Sequence, residues 1–446
     1  MAVHLDTHPK HAHPALFGLL VMPFGLIVGF SDNALSYLLG EHGWSTVVIG
    51  GVVALVGLPH AWKFLWAPAL DLGTKRKTWF LASVVVGALG LAVAALLPLD
   101  ENARVGAFSS LEILTAVVLV AEAAAATSTA AVDALMAITL PNDKKGAAAG
   151  WSMAGNVGGT GIGGAAITWL MVHVHHPLLR GGSIAALILA CGLPAFIIRE
   201  RQPVRHPALP AMRHLVTDVW ATIRSREGWT GLAICLTPVG TGSLMKLFGK
   251  VSQEYIADPV VREHTVELVN GLMGGFVGAL GSLLCGYLAD RMNRRLLYIL
   301  GGLATAFSAV GMALAPATAT SFTVGCLSYS FFNGVCYAAF AAFVLEMIGH
   351  GPGVTTKYAL FVGTSNFAIS YVAALDGFGE GWGVSLLGAA NPSAKRIGVI
   401  GTDALLTFLG VCFLVVIFVY LRKRPIVAMQ VTPVNAISES SSTPGA

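Results

Sequence analysis

Residues 286–295 read Gly-Tyr-Leu-Ala-Asp-Arg-Met-Asn-Arg-Arg, and they end a long apolar run. An apolar run of about 20 residues is the length that a helix needs to cross a bilayer. The acid Asp290 stands at the end of the run, and Arg291, Arg294 and Arg295 follow it at once. The stretch therefore predicts a transmembrane helix that ends in a short charged turn at a membrane surface.

A related pattern occurs earlier in the chain. Residues 66–71 read Trp-Ala-Pro-Ala-Leu-Asp, and the basic residues Lys75, Arg76 and Lys77 follow. Both stretches place an acid, Asp71 or Asp290, at a helix end beside a basic turn. The first follows the second apolar run and the other follows the eighth, so the sequence predicts two repeats.

The composition extends this prediction to the whole chain. Of 446 residues, 55% are hydrophobic and 11% are charged, whereas soluble proteins carry about 25% charged residues. The mean hydropathy is +0.73, and the apolar residues occur along the entire chain. The composition excludes a soluble globule and predicts an all-α, polytopic membrane protein. The net charge of +4 is spread over short clusters, so no nucleic-acid partner is expected.

About twelve bilayer-length runs can be identified, with a polar connection between the sixth and the seventh. They lie near 15–38, 46–68, 79–98, 110–138, 147–172, 182–198, 229–249, 266–288, 296–316, 320–347, 358–383 and 400–421. The predicted organisation is a tail (1–14), a six-helix bundle (15–198), a linker (199–228), a second six-helix bundle (229–421) and a disordered tail (422–446). Apolar residues at helical spacing predict an amphipathic helix in the linker: Leu209, Met212, Val216, Val219, Trp220 and Ile223.

Basic residues collect on one side of the predicted membrane. Cytoplasmic loops carry an excess of lysine and arginine, so both termini and the linker are predicted to be cytoplasmic. No cleavable signal peptide is apparent, because residues 1–14 are polar and no small-residue cleavage site follows the first apolar run. The glycine-rich stretch 155–164 predicts a face on the fifth helix that packs closely against a neighbour.

The turn at 286–295 resembles the major facilitator signature GxLaDrxGrr. The matching residues are Gly286, Leu288, Ala289, Asp290, Arg291 and Arg295. Two six-helix halves, a long central linker and cytoplasmic termini also resemble that superfamily. The resemblance implies a transporter that works by alternating access, with the first, fourth, seventh and tenth helices lining the central cavity.

The first half is similar to the muropeptide permease and acetyl-coenzyme A transporter family. Residues 63–68 with Asp71 resemble its KFLWxPxxD stretch, residues 131–134 its IAxDA segment, and 144–148 the turn that opens its fifth helix. Residues 357–360 resemble the start of its eleventh helix. The likeness implies solute transport across the inner membrane, with peptidoglycan fragments, siderophores or acetyl-coenzyme A among the substrates. Ser128-Thr129 replaces the Gln-Asp pair that members of the family often carry.

Ionisable residues within membrane spans are costly, so each is a functional candidate. Five lie on the helices that the resemblance assigns to the cavity, and they form the predicted substrate and proton pathway: Asp32, Glu122, Asp133, Lys246 and Glu346. The predicted gating or motif residues are His60, Lys63, Asp71, Asp290, Arg291 and Arg295. Asp376 and Glu380 lie near the outer end of the eleventh run.

Depth within the spans suggests partners. Asp32 and Lys246 lie at similar outer depths in the first and seventh runs, so we predict that they form an ion pair that closes an extracellular gate; alternatively, Lys246 extends to the lipid headgroups. Lys63 and Asp133 are predicted to pair near the inner end, as a gating pair or as substrate contacts. Glu346 occupies roughly the repeat position of Asp133.

Glu122 is the leading candidate for proton coupling, with Asp32 as the runner-up. Its neighbours are Ala121 and the alanines from 123 to 126, so it reads as a lone carboxyl in an apolar helix, able to exchange a proton as the cavity alternates. His60 is predicted either to relay protons or, as a hydrogen-bonded histidine, to stabilise the fold.

Several alternatives stay open. An exporter of hydrophobic compounds would use an apolar cavity lined by Phe30, Trp62, Phe248, Phe331, Phe332 and Tyr337. A receptor would bind a solute without flux, and an intramembrane enzyme would need a catalytic motif such as HExxH or GxSxG, neither of which is present. The protein is therefore predicted not to be an enzyme. We expect no cofactor or metal, a proton as the coupling ion, a small-molecule solute as ligand, the lipid bilayer as surroundings, and a monomer.

Overall fold

The computed structural model describes residues 13–66, 70, 74–140, 142–198, 200, 217, 219–289, 291–348 and 354–423. Within the helices, the side chains of 137, 142–150, 227, 345, 346, 348, 354–358 and 421–423 are not described. Asp71, Asp290, most of the predicted amphipathic helix and nearly all of both predicted tails lie outside these residues. Residues 219–224, at the end of the predicted amphipathic helix, are helical.

Apart from the helical residues 219–224, the described residues fold into twelve helical elements and one short hairpin. The helices are α1 (Ala15–Glu41), α2 (Thr46–Leu65), α3 (Arg76–Ala94), α4 (Ser110–Thr139), α5 (Asn142–His173), α6 (Pro177–Ile197), a discontinuous α7, α8 (Pro259–Ala289), α9 (Arg294–Leu314), α10 (Ala319–Ile348), α11 (Val354–Leu387) and α12 (Ala394–Lys423). The hairpin pairs β1 (Arg104–Val105) with β2 (Phe108–Ser109) between α3 and α4. Among the described residues, ten helices are long and apolar enough to cross a membrane; α5 and α7 are the two others.

The seventh element departs from the sequence prediction of one continuous span near 229–249. It consists of an α-helix at Arg226–Cys235, a break, and short helical turns at Ser243–Leu247, Phe248–Val251 and Ser252–Glu254. Pro238 lies in the break, and Gly240 and Gly242 have φ values of +62° and +68°. Proline lacks the amide donor that a helix needs, and positive φ strongly favours glycine, so these residues interrupt the helix.

Glycine lets α1 and α5 pack backbone against backbone. A Cβ atom on Gly25 would lie 2.7 Å from the backbone of Gly159, and one on Gly163 would lie 2.5 Å from Leu26. Small residues allow such close approach between membrane helices. The glycine-rich stretch predicted to be a packing face thus lies against α1.

Close packing also joins the first six helices to the last six. Helices α2 and α11 run antiparallel, with Gly50 against Gly377 and Ala61 against Gly363. Helices α5 and α8 meet at Gly161 and Gly271. A site between the halves is therefore bordered by two tightly packed helix pairs.

The two ends of the bundle can be told apart by their contacts. At one end, the backbone amides of Arg76 and Lys77 donate to the Glu200 carboxylate at 2.9 and 3.0 Å. At the other end, Trp44 Nε1 donates to the carbonyl of Leu99 at 2.7 Å. We call the second end the outer end, because the predicted orientation makes it extracellular.

Candidate functional site

An ion pair joins the two halves near the outer end. Lys246 Nζ on α7 donates to Asp32 Oδ1 on α1. The side chains are 15% and 26% exposed, respectively, so the pair is largely shielded from solvent. The predicted contact between Asp32 and Lys246 is present, and Lys246 does not extend away to the headgroups.

The local backbone places both charges at the interface. Asp32 lies in a π-helical turn, Phe30–Ala34, within α1; such bulges in α-helices are frequent at functional sites. Lys246 lies in the 3₁₀ turn Ser243–Leu247 that follows the break in α7. Each partner is therefore carried by an irregular turn of its helix.

Further polar contacts close the outer end. Arg262 at the start of α8 donates from Nη2 to Glu41 Oε2 at the end of α1 at 2.9 Å, and its Nε lies 2.9 Å from Oε1. The Thr46 hydroxyl on α2 donates to Glu380 on α11, and Glu380 also pairs with Lys395 at 3.2 Å. Among the described residues, the ion pairs between the halves all lie toward this end.

Glu122 lies in a three-residue network inside the first half. Its side chain on α4 is 2% exposed, accepts a hydrogen bond from the Ser31 hydroxyl on α1, and lies 2.7 Å from His60 Nε2 on α2. The expectation of a lone carboxyl was wrong, because two polar groups from other helices meet it. Sequence spacing within α4 could not show partners on α1 and α2.

His60 also contacts the second half. Asn366 Nδ2 on α11 donates to the His60 carbonyl at 3.1 Å, and Phe24 packs edge-on against the imidazole at 5.6 Å. The predicted hydrogen-bonded role of His60 is present in the geometry. Its ring thus joins Glu122 while its backbone contacts α11 of the second half.

The predicted inner pair is looser. Lys63 and Asp133 form no ion pair within 4.0 Å, although both side chains are among those that the structure describes. Glu346 lies in the last turns of α10, and its side chain is among those not described. At the predicted inner gate, the structure therefore describes the side chains of Lys63 and Asp133 but not that of Glu346.

The basic residues of the 286–295 stretch make cation–π contacts. The Arg291 guanidinium lies 3.8 Å from the ring centroid of Tyr287. Arg295 lies 5.8 Å from Phe343 on α10 and 5.7 Å from Phe418 on α12. The motif arginine Arg295 therefore ties α9 to two neighbouring helices.

A second acidic network, in the other half, was not predicted. Asp376 on α11 and Asp403 on α12 are both 0% exposed. The Ser243 hydroxyl on α7 lies 2.8 Å from Asp376 Oδ2 and 3.0 Å from Asp403 Oδ1, and Tyr329 on α10 donates to Asp403 at 3.0–3.1 Å. Asp403 could have been found as a lone acid within a long apolar run, but it stands only three residues inside the predicted start of that run.

One group of side chains at the outer end has the donor set of a cation site. His173, Glu263 and Glu267 each offer one ligand atom, and these atoms lie within 4.8 Å of one another. His173 Nδ1 and Glu263 Oε1 are 3.6 Å apart, which adds a contact between α5 and α8. All three residues are at least partly exposed, and exposed acidic groups often cluster without a metal.

Some of the aromatic residues that were predicted to line an apolar cavity lie in the packed core instead. Phe30 and Phe248 are each 2% exposed and belong to the packed core. Phe248 lies edge-on to Phe322 and Tyr329. Two of the six aromatic residues expected for an apolar cavity are therefore core residues.

The family model described as Major Facilitator Superfamily matches residues 16–375 of this chain. The chain belongs to the Major Facilitator Superfamily. Its fold is accordingly the major facilitator fold, with about twelve transmembrane helices in two six-helix halves, as the sequence predicted. This facilitator is a multi-pass membrane protein and a transporter of small-molecule solutes, from a family of transporters and not of enzymes.

A curated relative and two solved structures agree with this assignment. The anhydromuropeptide permease of Escherichia coli strain K12 is 25% identical over 350 residues, which cover 74% of this chain and 68% of the permease. The nucleoside transporter NupG superimposes with a TM-score of 0.66 at 13% identity, over 91% of this chain and 98% of NupG. A D-xylose-proton symporter gives a TM-score of 0.66 at 12% identity, over 90% and 95%. The predicted likeness to muropeptide permeases is confirmed, and the structural neighbours show the fold.

Proposed function

We propose that this facilitator is a secondary active transporter that imports a muropeptide-like solute by proton-coupled alternating access. The observation that carries the proposal is the position of Ser31. Its hydroxyl donates to the buried Glu122 carboxylate, and the next residue, Asp32, forms the ion pair with Lys246. One turn of α1 therefore connects a titratable site with the closure of the outer end.

The coupling step follows from this connection. Glu122 and His60 lie 2.7 Å apart, and a carboxyl and an imidazole at that distance can pass a proton between them. A proton added to Glu122 weakens its hold on the Ser31 hydroxyl, because a neutral carboxyl is a weaker acceptor than a carboxylate. We propose that this change moves the Phe30–Ala34 turn and so favours opening or closing of the Asp32–Lys246 pair.

The proposed solute is an amphipathic molecule such as a muropeptide; a siderophore is the nearest alternative. The identity to an anhydromuropeptide permease supports this class, as do the residues 63–68 and 131–134 that resemble its family. Export of hydrophobic compounds is the weaker candidate, because Phe30 and Phe248 are core residues.

We further propose that the protein works as a monomer in the inner membrane, with both termini in the cytoplasm. The clusters of basic residues at one end of the predicted spans support this orientation. A cysteine at Thr74, in the turn before α3, and one at Glu101, in the turn before α4, test it. The first should react with a membrane-impermeant reagent only in inside-out vesicles, and the second only in right-side-out vesicles.

Flux through the purified protein in proteoliposomes tests the function. Radiolabelled anhydromuropeptide, a siderophore and a coenzyme A ester are offered separately, with and without an inward proton gradient. We expect accumulation of the muropeptide that collapses when an uncoupler removes the gradient. Saturable solute binding without flux would indicate a receptor, and gradient-independent flux would contradict proton coupling.

A further inference from the structure

The network of Asp376, Asp403, Ser243 and Tyr329 brings together four helices of the second half. Its carboxyl groups are fully buried. Within the described residues, Asp403 is the charged neighbour of Asp376, and no lysine, arginine or histidine has an electrostatic interaction with either carboxyl. Tyr329 on α10 contacts Asp403, and Cys336 on the same helix lies near Tyr329. Nothing basic in this environment balances two negative charges.

The hydrogen-bond distances around Ser243 indicate how many protons the two carboxyl groups carry. The Ser243 hydroxyl carries one hydrogen, yet its oxygen lies 2.8 Å from one carboxyl oxygen and 3.0 Å from another. The serine can donate to one of them. The other contact is a hydrogen bond only if that carboxyl carries a proton and donates to the serine oxygen. The geometry therefore favours at least one proton on the acidic pair.

The contacts assign that proton to Asp376. Asp403 is approached by the hydroxyls of both Ser243 and Tyr329, and such donors stabilise a carboxylate. Asp376 has a single contact, from Oδ2 to Ser243, and its buried Oδ1 has no partner. An unpaired oxygen is less costly on a neutral carboxyl than on a carboxylate. The protonated Asp376 thus donates a hydrogen bond to Ser243, and Ser243 donates to the Asp403 carboxylate. Tyr329 is the second donor to Asp403.

We propose that Asp376 and Asp403 form a second proton-binding site, which holds one shared proton while the outer end is closed. Ser243 and Lys246 lie three residues apart in a 3₁₀ turn, where residues i and i+3 share one face. Loss of the proton would leave Ser243 between two carboxylates and would displace this turn, and with it Lys246. The site thereby influences the Asp32–Lys246 ion pair through the turn of α7 that carries Lys246. Glu122 influences the same pair through the turn of α1 that carries Asp32.

The role in coupling rests on the proposed function, whereas proton binding itself does not. Infrared difference spectroscopy on the purified full-length protein, without solute, detects the carbonyl stretch of protonated carboxyl groups. We expect a buried carboxyl band that disappears in alkaline buffer and is lost in Asp376→Asn. An asparagine can donate to Ser243 as the protonated carboxyl does, so this variant should fold. Asp100→Asn, in an exposed outer turn, is the matched control and should keep the band.

A second variant keeps the test decisive if Asp376→Asn does not fold. Tyr329→Phe removes a donor to the charged carboxylate, so the pair should bind its proton more tightly and keep the band to higher pH. Absence of a band that either variant alters would overturn the proposal. Stabilisation against heat by sodium but not by choline, without the band, would assign the site to a metal cation and would also overturn it.

The outcomes separate the two proposals. If no tested solute is transported but the band behaves as expected, the proposed function fails and the second proton site stands. If proton-driven flux is measured but the band is absent, Glu122 and His60 remain as the coupling site and the second site is wrong.

Discussion

Replacing Lys246 by alanine should open the outer end of this transporter. The substitution removes the cation that holds Asp32 across the interface between the halves and leaves that carboxylate without its partner. Asp32→Asn should act in the same direction. The double charge reversal, Asp32→Lys with Lys246→Asp, should restore closure, because it rebuilds the pair with opposite polarity.

The expected magnitude follows from the burial of the pair. Two unit charges about 4 Å apart attract by about 4 kcal/mol at an effective dielectric constant near 20, and desolvation offsets part of this. Exposed pairs contribute about 0–1 kcal/mol, whereas breaking a buried pair costs about 3–5 kcal/mol. With exposures of 15% and 26%, the pair is intermediate, so about 2 kcal/mol is expected. That is about a 30-fold change in the ratio of closed to open molecules.

Spin-label distances across the outer end measure this ratio. Labels at Glu101→Cys and Ala389→Cys lie in exposed outer turns of the two halves, in a background without the exposed Cys412. We expect Lys246→Ala to add a population at longer distances that the charge reversal removes. Arg104→Ala is the matched control, because it removes an exposed positive charge from the outer hairpin of the first half. Unchanged distances in both single variants, or no rescue by the reversal, would refute the reasoning.

Three further predictions concern other contacts. Glu122→Gln should abolish accumulation driven by the proton gradient while solute exchange continues, as measured in proteoliposomes; persistent pH-driven accumulation would contradict it. Gly25→Val should lower the thermal unfolding temperature, because overpacking costs about 1–3 kcal/mol and a Cβ there meets the α5 backbone at 2.7 Å; Gly158→Ala, with open space around it, should not. Arg262→Lys should weaken outer closure by about 1 kcal/mol, because lysine cannot make the two-nitrogen contact with Glu41; unchanged spin-label distances would argue against this.

Residue pairs on equivalent helices were the most predictable part of the site. Asp32 and Lys246 lie at similar depths in the first helix of each half, and two six-helix repeats place those helices face to face. Depth counted along the sequence was therefore enough to predict their contact. The contact of Glu122 with Ser31 and His60 was not predictable in this way, because it depends on how three helices of one half rotate about their axes.

The network around Asp403 shows a different limit. Two of its residues, Ser243 and Tyr329, are polar residues without charge, which carry no signal in an apolar span. Ser243 also depends on the break in α7, where Gly240 and Gly242 adopt positive φ. Proline and glycine indicate that a helix can break, but the direction in which the chain continues is set by packing against α10, α11 and α12.

The sequence by itself determined the class of the protein, the number of spans and the family, because hydrophobic length and short motifs are local properties of the chain. It also located Asp32, Glu122 and Lys246 within spans, although it missed Asp403. Only the tertiary structure decided which of them meet: Glu122 with His60, and Asp376 with Asp403 through Ser243. The physical reason is that hydrogen bonds act over about 3 Å, so such contacts depend on helix rotation and close packing, which the order of residues does not specify.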